Sequence, residues 1–285
     1  MHSDNAGPVR RIDSHQHFWN YSKEEYPWIA NNMRVLKQDY LPDDLSPLLE
    51  SYDFSGSIAV QARGDTKENL FLLELAAQNP QILGIVGWLN FCDEDIENEL
   101  SCWNSHSLIK GYRTLLQDEE SPSDFLASKA FNRGIKALQK TGKVYELLIS
   151  EKDLPAAIKF CSLHDAGPIV LCHMGKPDVE RGSLADWALK LSMLAQLPHV
   201  FCKISGIVTE AKWCSWSLIQ LIGYLEKAIE IFGTQRILYG SDWPVCLLSG
   251  TYSQVLTIAK AASYSFSDNE LNLFWGENAA RIYQL

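Results

Sequence analysis

A His-x-His pair closes the first apolar run of the chain, and a lone aspartate closes another run near the C-terminal end. His15 and His17 end the run at residues 11–17, and Asp242 ends the run at residues 237–242. Side chains alternate between the two faces of a β-strand, so both imidazoles project to one side and can bind one metal ion, water or carbonyl oxygen. If the Asp242 carboxylate lies beside the two imidazoles, the three side chains predict the active site of an enzyme.

Other apolar runs also end in side chains that can do chemistry. His173 ends the run at residues 169–173 and lies two positions before Gly175, so the backbone can turn while the ring faces a cavity. The remaining polar or aromatic residues at run ends are Gln61, Arg63, Trp88, Asn90, Arg113, Gln117, Glu146, Lys203, Ser205 and Trp243. Residues of these types, collected at one end of a sheet, would form a catalytic cavity.

Short β-type runs alternate with longer helical patterns along the whole chain. The predicted strands are residues 11–17, 57–62, 82–90, 109–117, 143–149, 169–173, 200–206 and 237–242. The predicted helices are residues 43–52, 67–79, 93–105, 123–140, 154–164, 183–196 and 215–232, with a final helical stretch from Tyr252 onward. Strict alternation of this kind implies parallel strands.

Eight βα units in 285 residues predict an α/β fold of the closed (β/α)8 TIM-barrel type. An open doubly wound sheet is disfavoured because no run is followed by the dinucleotide-binding pattern Gly-x-Gly-x-x-Gly. We expect a single domain over residues 1–285, with residues 1–10 as a flexible tail. In such barrels the reaction centre lies at the C-terminal ends of the strands, where the polar residues collect.

The amino-acid composition limits the classes of molecule that the protein can bind. Asp and Glu number 35 against 25 Lys and Arg, and the formal charge of −10 would repel nucleic acid and anionic membranes. A small neutral substrate suits this balance, and association into a homo-oligomer stays open. The seven cysteines never form a Cys-x-x-Cys pair, and no N-terminal apolar segment resembles an export signal. We therefore expect reduced thiols and a cytoplasmic protein.

Five segments resemble one known family: RIDSHQHFW at residues 11–19, YPWI at 26–29, SIAVQAR at 57–63, FCKISG at 201–206 and GSDWPVC at 240–246. They are similar to the sugar-lactone hydrolases of the amidohydrolase superfamily (amidohydrolase-2 type), and within it to the L-fuconolactonase-like proteins. The resemblance implies a distorted (β/α)8 barrel that opens aldonolactones in sugar or fucose catabolism, with L-fucono-lactone as substrate. One position departs from it, because Thr114 stands where these proteins commonly carry a histidine.

Hydrolysis of a lactone needs an activated water, a polarised carbonyl and a proton for the leaving ring oxygen. We expect Asp242 to be the general base, and His15, His17 and His173 to act on the carbonyl or the water. They would do so directly or through one divalent ion, and the four residues suit mononuclear Zn²⁺. A binuclear centre is not expected, since the run at residues 143–149 has no histidine. We expect one dispensable ion at most, with no required cofactor.

Substrate binding is predicted for Arg113, Gln61, Trp28 and Trp88. An amide can hydrogen-bond ring hydroxyls, and an indole can pack on the apolar face of a sugar. Two roles are open for Arg113 and equally favoured. It binds the carbonyl or a hydroxyl of the substrate, or it forms an ion pair with a barrel carboxylate such as Glu146.

Two other classes of function remain. One is a metal-dependent decarboxylase or amidohydrolase that acts on a small cyclic or aromatic acid, and such an enzyme would lose all turnover on chelation. The other is a non-catalytic sugar-binding barrel, which would have no reason to keep His15, His17, His173 and Asp242 together.

Overall fold

The computed structural model describes residues 10–285, and its centre is an eight-stranded parallel sheet in which the strands follow chain order. The strands are β1 Arg11–Gln16, β2 Phe54–Val60, β3 Ile82–Gly87, β4 Ile109–Thr114, β5 Val144–Leu147, β6 Ile169–Leu171, β7 Val200–Ile204 and β8 Ile237–Tyr239. The predicted TIM barrel is confirmed. Of the predicted tail, residues 1–9 lie outside the described part of the chain, and the single-domain assignment stays a prediction.

The barrel closes where the last strand meets the first. A parallel bridge joins Gln16 to Trp243 just beyond the end of β8. The amide of His17 donates to the Trp243 carbonyl at 2.8 Å, and the amide of Asp242 donates to the His15 carbonyl at 2.8 Å. The seam therefore brings the first and last candidate catalytic residues into direct backbone contact.

Helices follow the strands and cover the outside of the barrel. They are α1 Pro42–Ser51, α2 Thr66–Gln78, α3 Ile96–Trp103, α4 Pro122–Ala127, α5 Lys129–Gln139, α6 Leu154–Ser162, α7 Leu184–Ala195, α8 Ile207–Glu210, α9 Leu218–Phe232, α10 Tyr252–Ala262, α11 Asp268–Asn272 and α12 Asn278–Tyr283. The single helix predicted at residues 123–140 is two helices. Ser128 has an extended backbone and caps α5 by accepting from the Phe131 amide, so α4 ends before it.

Several strands are shorter than the sequence pattern predicted. The run at residues 169–173 ends as a strand at Leu171, because His173 and Met174 have φ values of 52° and 55°. A left-handed backbone cannot continue a strand, so the chain turns away from the sheet. The polar residues that follow the strands consequently lie on loops above the barrel mouth.

Two apolar layers stabilise this arrangement. Ile12, Ile58, Val60, Val86 and Leu238 fill the barrel interior, where they pack with Ile282 and Tyr283 of α12. A larger layer lies between the sheet and the surrounding helices. Burial of both layers fixes the strand positions, and with them the positions of the loops at the C-terminal ends.

None of the helices within residues 10–285 is both long enough and apolar enough to cross a membrane. The cysteines of the described residues are all free thiols, and Cys172, Cys202 and Cys246 are buried as small core side chains.

Candidate active site

The four residues expected to carry the chemistry converge at the C-terminal end of the barrel. His15 lies on β1 and His17 just beyond it, His173 follows β6, and Asp242 follows β8. Asp242 Oδ1 lies 3.7 Å from His15 Nε2, 3.5 Å from His17 Nε2 and 3.9 Å from His173 Nε2. All four side chains are buried. One carboxylate oxygen therefore faces three imidazole nitrogens at the C-terminal end of the barrel.

The backbone aims two of these side chains by adopting unusual conformations. Asp242 has a φ of 59° and His173 a φ of 52°, both in the left-handed region that non-glycine residues rarely occupy. The Asp242 carbonyl accepts from the Cys246 amide at 2.8 Å, in addition to the seam bond from the Asp242 amide to His15. Strained backbone of this kind persists only where surrounding contacts enforce it, and it occurs often at functional sites.

Hydrogen bonds outside the cluster orient the imidazoles. His17 Nδ1 lies 2.7 Å from the Val60 carbonyl oxygen, which can only accept, so this nitrogen carries the proton. Nε2 of His17 therefore presents its lone pair towards Asp242. His173 Nδ1 lies 2.8 Å from Ser205 Oγ, which fixes the plane of the second ring.

The environment keeps these histidines neutral. Burial lowers the pKa of His17, and it lowers the pKa of His173 to about 3. Burial, followed by the positive charge of Lys203, lowers the pKa of His15 well below its usual range. A neutral ring whose lone pair faces a carboxylate oxygen, as that of His17 does, repels it. A proton donor or a cation placed between them would remove that repulsion.

The donor set fits a single zinc ion. Ligand atoms of His15, His173 and Asp242 all lie within 4.8 Å of one another, and His17 Nε2 faces the same carboxylate oxygen. Tetrahedral zinc with bonds of about 2.0–2.1 Å places its ligands about 3.4 Å apart. The observed spacings of 3.5–3.9 Å are slightly wider. Imidazole nitrogen and carboxylate oxygen are the ligand types this ion takes.

Two protein cations flank the same cluster at His15. Lys203 Nζ lies 3.2 Å from His15 Nδ1, and Arg113 Nη1 lies 3.3 Å from His15 Nε2. Arg113 also donates through Nη2 to the Gln61 carbonyl at 2.5 Å. Its side chain lines the cavity, as the substrate-binding reading expects, and it forms no ion pair with Glu146. The guanidinium is therefore held in place with its positive charge beside the imidazoles.

Lys203, which lies within the apolar strand β7, forms a buried ion pair. Its ammonium lies 2.6 Å from Glu146 Oε1, and both side chains are fully buried. Tyr283 Oη and Cys172 Sγ also donate to the Glu146 carboxylate. Burial would raise the pKa of Glu146, but the positive charges of Lys203 and Arg113 outweigh it and lower that pKa. A charged, closed network thus lies directly beneath His15.

Above the cluster is a cavity that opens to solvent. Its lining comes from the loops after the strands and comprises His17, Trp28, Ala62, Arg113, Leu115, Gln117, Asp118, Leu148, His173, Lys176, Thr209, Glu210, Asp242 and Val245. The catalytic cluster is therefore open to a small molecule from the solvent.

Two residues predicted to bind substrate do not line this cavity. Gln61 is fully buried and donates through Nε2 to the Arg113 carbonyl at 3.1 Å, so its amide links β2 to β4. The backbone of Trp88 is held by the side-chain amide of Asn69, and its indole lies beside Gly64. Trp28, by contrast, reaches the cavity wall, and its indole N–H donates to the Ala62 carbonyl at 2.8 Å.

Sequence reasoning missed part of the lining. Asp118, Lys176, Thr209 and Glu210 face the cavity from loops beyond β4, β6 and β7. These residues lie further along the chain than the predicted strand ends, where no strand pattern marks them. Only Lys176 had a signal, because it follows His173 by three positions within a Gly-containing turn.

Comparison with known proteins gives the chain its relatives. Residues 12–285 match the family model described as amidohydrolase. The chain is 43% identical to an L-fucono-1,5-lactonase of Burkholderia multivorans, with 96% of each chain covered. It is 29% identical to an L-fucono-1,5-lactonase of Burkholderia ambifaria, over 85% of this chain and 83% of the relative.

A solved structure agrees with these matches. The crystal structure of an amidohydrolase from Burkholderia multivorans with bound zinc superimposes with a TM-score of 0.94 at 42% identity. The match covers 97% of this chain and 99% of that one. The predicted resemblance is confirmed over nearly the whole length, and the chain belongs to the amidohydrolase family.

Proposed function

We propose that this protein hydrolyses a sugar lactone, L-fucono-1,5-lactone or a close relative, to the aldonic acid. The observation that carries the proposal is the Asp242 carboxylate, which faces three neutral imidazoles at the bottom of a solvent-accessible cavity. The 43% identity to an L-fucono-1,5-lactonase over nearly the full chain supports the choice of substrate.

In the proposed first step, Asp242 accepts a proton from a water that lies between the carboxylate and the lactone carbonyl. The water oxygen bonds to the carbonyl carbon, and the carbonyl electron pair moves onto its oxygen to give a tetrahedral oxyanion. Arg113 supplies a fixed positive charge beside His15, and it stabilises the oxyanion as that charge develops.

In the second step the oxyanion collapses and the bond from the carbonyl carbon to the ring oxygen breaks. Asp242 returns its proton to the departing ring oxygen, which becomes a hydroxyl of the open chain. The balance is one water added and one ester bond broken. Because a lactone is an activated ester, this sequence demands less electrophilic assistance than amide hydrolysis.

The imidazoles have a positioning role in both steps. The bonds from His17 Nδ1 to Val60 and from His173 Nδ1 to Ser205 hold the two rings so that Nε2 faces the reacting atoms. His15 is held from below by Lys203. A zinc ion, when bound by His15, His17, His173 and Asp242, would supply Lewis acidity to the water or the carbonyl. We propose that such an ion is dispensable for this reaction.

A pH-indicator assay with purified protein tests the proposal. The substrates are L-fucono-, L-galactono- and D-arabinono-lactone, each with and without chelator. We expect acid release from at least one lactone in the wild type and a loss of several orders of magnitude in Asp242→Asn, as is usual when a general base is removed. Asp43→Asn is the matched control, since it removes the same charge from an exposed helix end. No acid release from any lactone, with zinc restored, would refute the proposal.

A further inference from the structure

One wall of the cavity carries an ion pair that the proposed mechanism does not use. Lys176 Nζ lies 3.2 Å from Glu210 Oε1 and 3.0 Å from Gln117 Oε1. These residues come from loops after β6, β7 and β4, and all three line the cavity beside His173 and Asp242. Three separate loops thus place their polar ends at one point of the wall.

The pair is fixed relative to the catalytic cluster. The Lys176 amide donates to the His173 carbonyl at 2.8 Å, and Lys176 itself has a left-handed φ of 47°. Glu210 ends α8, the short helix that follows β7 and Ser205, the residue that holds His173. Thr209 Oγ1 donates to the same Glu210 oxygen at 3.4 Å. The backbone that positions His173 therefore also positions Lys176 and Glu210.

Both members of the pair line the cavity, and both keep hydrogen-bonding capacity beyond their contacts with each other. Among residues 10–285, the contacts of the Glu210 carboxylate all use Oε1, and no group donates to Oε2. The ammonium of Lys176 has three N–H donors but only two partners in this part of the chain, Glu210 and Gln117. The pair is mostly buried, so a bound ligand that displaced water would have to satisfy these groups itself.

We propose that Lys176 and Glu210 determine specificity by binding two neighbouring hydroxyl groups of the lactone ring. Lys176 donates to the oxygen of one hydroxyl, and Glu210 Oε2 accepts the proton of the next. An adjacent donor and acceptor match a vicinal diol, in which each hydroxyl can serve either role. A ring that lacks these hydroxyls would leave Glu210 Oε2 and one N–H of the Lys176 ammonium without hydrogen-bond partners.

The charges of the cavity agree with a neutral polyol. Glu210, Asp118 and Asp242 bring three carboxylates to the lining, against Lys176 and Arg113. Lys176 is already paired with Glu210, so on this lining two carboxylates remain against the single charge of Arg113. A substrate with its own carboxylate would therefore meet repulsion on this wall. The inference rests on the proposed lactonase activity and adds which hydroxyl groups of the lactone ring the enzyme recognises.

The test compares lactones that differ in their hydroxyls. The variants are Glu210→Gln, Lys176→Met and the double variant, assayed on L-fucono-1,5-lactone, on its single-deoxy analogues and on unsubstituted δ-valerolactone. The matched controls are Glu97→Gln and Lys140→Met, which break an ion pair of 3.1 Å on the exposed surface. The measured quantity is kcat/KM on the hydroxylated lactone divided by kcat/KM on the unsubstituted one.

We expect each cavity variant to lower this ratio roughly ten- to hundredfold, the change that corresponds to one charge-assisted hydrogen bond. The loss should lie mainly in KM, and one single-deoxy lactone should show no further loss with Glu210→Gln. The control variants should leave the ratio within about twofold, as expected of surface substitutions.

Three outcomes would overturn the inference. If the pair only holds the loops together, the variants will lower the melting temperature and reduce both activities equally, so that the ratio stays constant. If the variants change nothing on any lactone, the pair does not touch the substrate. In both cases an active wild type leaves the lactonase proposal standing. If the wild type opens no lactone, the proposed function fails, and this inference fails with it.

Discussion

Replacement of Lys203 by methionine should destabilise the barrel strongly, and by an amount that depends on pH. The substitution keeps most of the side-chain volume and removes the ammonium that lies 2.6 Å from Glu146. Glu146 would then be a fully buried carboxylate, with hydrogen bonds from Tyr283 and Cys172 but no ion pair. An unpaired buried charge is costly, so the variant should bury Glu146 in its protonated form.

The magnitude follows from that protonation. The ordinary pKa of the glutamate is 4.5. Protonation at pH 7 spans two and a half pH units at about 1.36 kcal/mol each, or about 3.4 kcal/mol. This lies within the range of about 3–5 kcal/mol for breaking a buried pair by removing one partner. It is a large part of a typical unfolding free energy of about 5–15 kcal/mol.

The stability of the variant should rise as pH falls. In the variant, the folded pKa of Glu146 lies above the unfolded value, so the folded state binds more protons and gains stability as pH falls. The destabilisation should shrink by about 2.7 kcal/mol between pH 7 and pH 5. Urea denaturation of the wild type, Lys203→Met and Lys203→Met/Glu146→Gln, in the presence of chelator, measures it.

The double variant separates this explanation from simple loss of packing. With Glu146 replaced by a neutral amide, the pH dependence of the difference should disappear, and the double variant should be more stable than Lys203→Met at pH 7. A destabilisation of Lys203→Met that is equal at pH 5 and pH 7 would refute the reasoning, because the cost would then not come from the unpaired carboxylate.

Three further predictions concern the candidate site and its support. Ser205→Ala removes the hydrogen bond to His173 Nδ1 and should lower kcat/KM about 10–100-fold with little change in melting temperature; an unchanged kcat/KM would show that the ring is held by packing alone. Chelated protein, shown to be free of zinc by elemental analysis, should still open the lactone, and activity that returns only when zinc is added would contradict this. Burial raises the pKa of Glu68 to about 6 from 4.5. This group should therefore make wild-type stability fall by about 1.3 kcal/mol as pH rises from 4.5 to 6, and by about 2 kcal/mol over its full titration, a contribution that Glu68→Gln should remove in urea denaturation measured at several pH values.

The barrel was predictable because its signals are repeated and local. Each apolar run and each helical pattern recurs in alternation, and the motifs at residues 11–19 and 240–246 place chemistry at two strand ends. The convergence of His15, His17, His173 and Asp242 follows from that architecture. Lys203 has a buried carboxylate partner in Glu146, consistent with the cost of burying an unpaired ammonium in an apolar strand.

The cavity wall was less predictable because loops lack such periodicity. Gln61 follows a strand, as the active-site pattern requires, yet its side chain turns inward to bind the Arg113 carbonyl. Lys176 and Glu210 reach the cavity only because the chain turns through left-handed residues after β6 and forms a short helix after β7. Alternating hydrophobicity predicts neither the left-handed turn after β6 nor the short helix after β7.

The seam between β1 and β8 joins two parts of the site that are synthesised far apart in time. His15 leaves the ribosome 227 residues before Asp242, whose amide donates to the His15 carbonyl. A growing chain therefore holds most of its barrel but only part of its reaction centre. Catalysis begins when the last strand docks on the first, so turnover in a translation reaction would report completion of the ring rather than accumulation of folded segments.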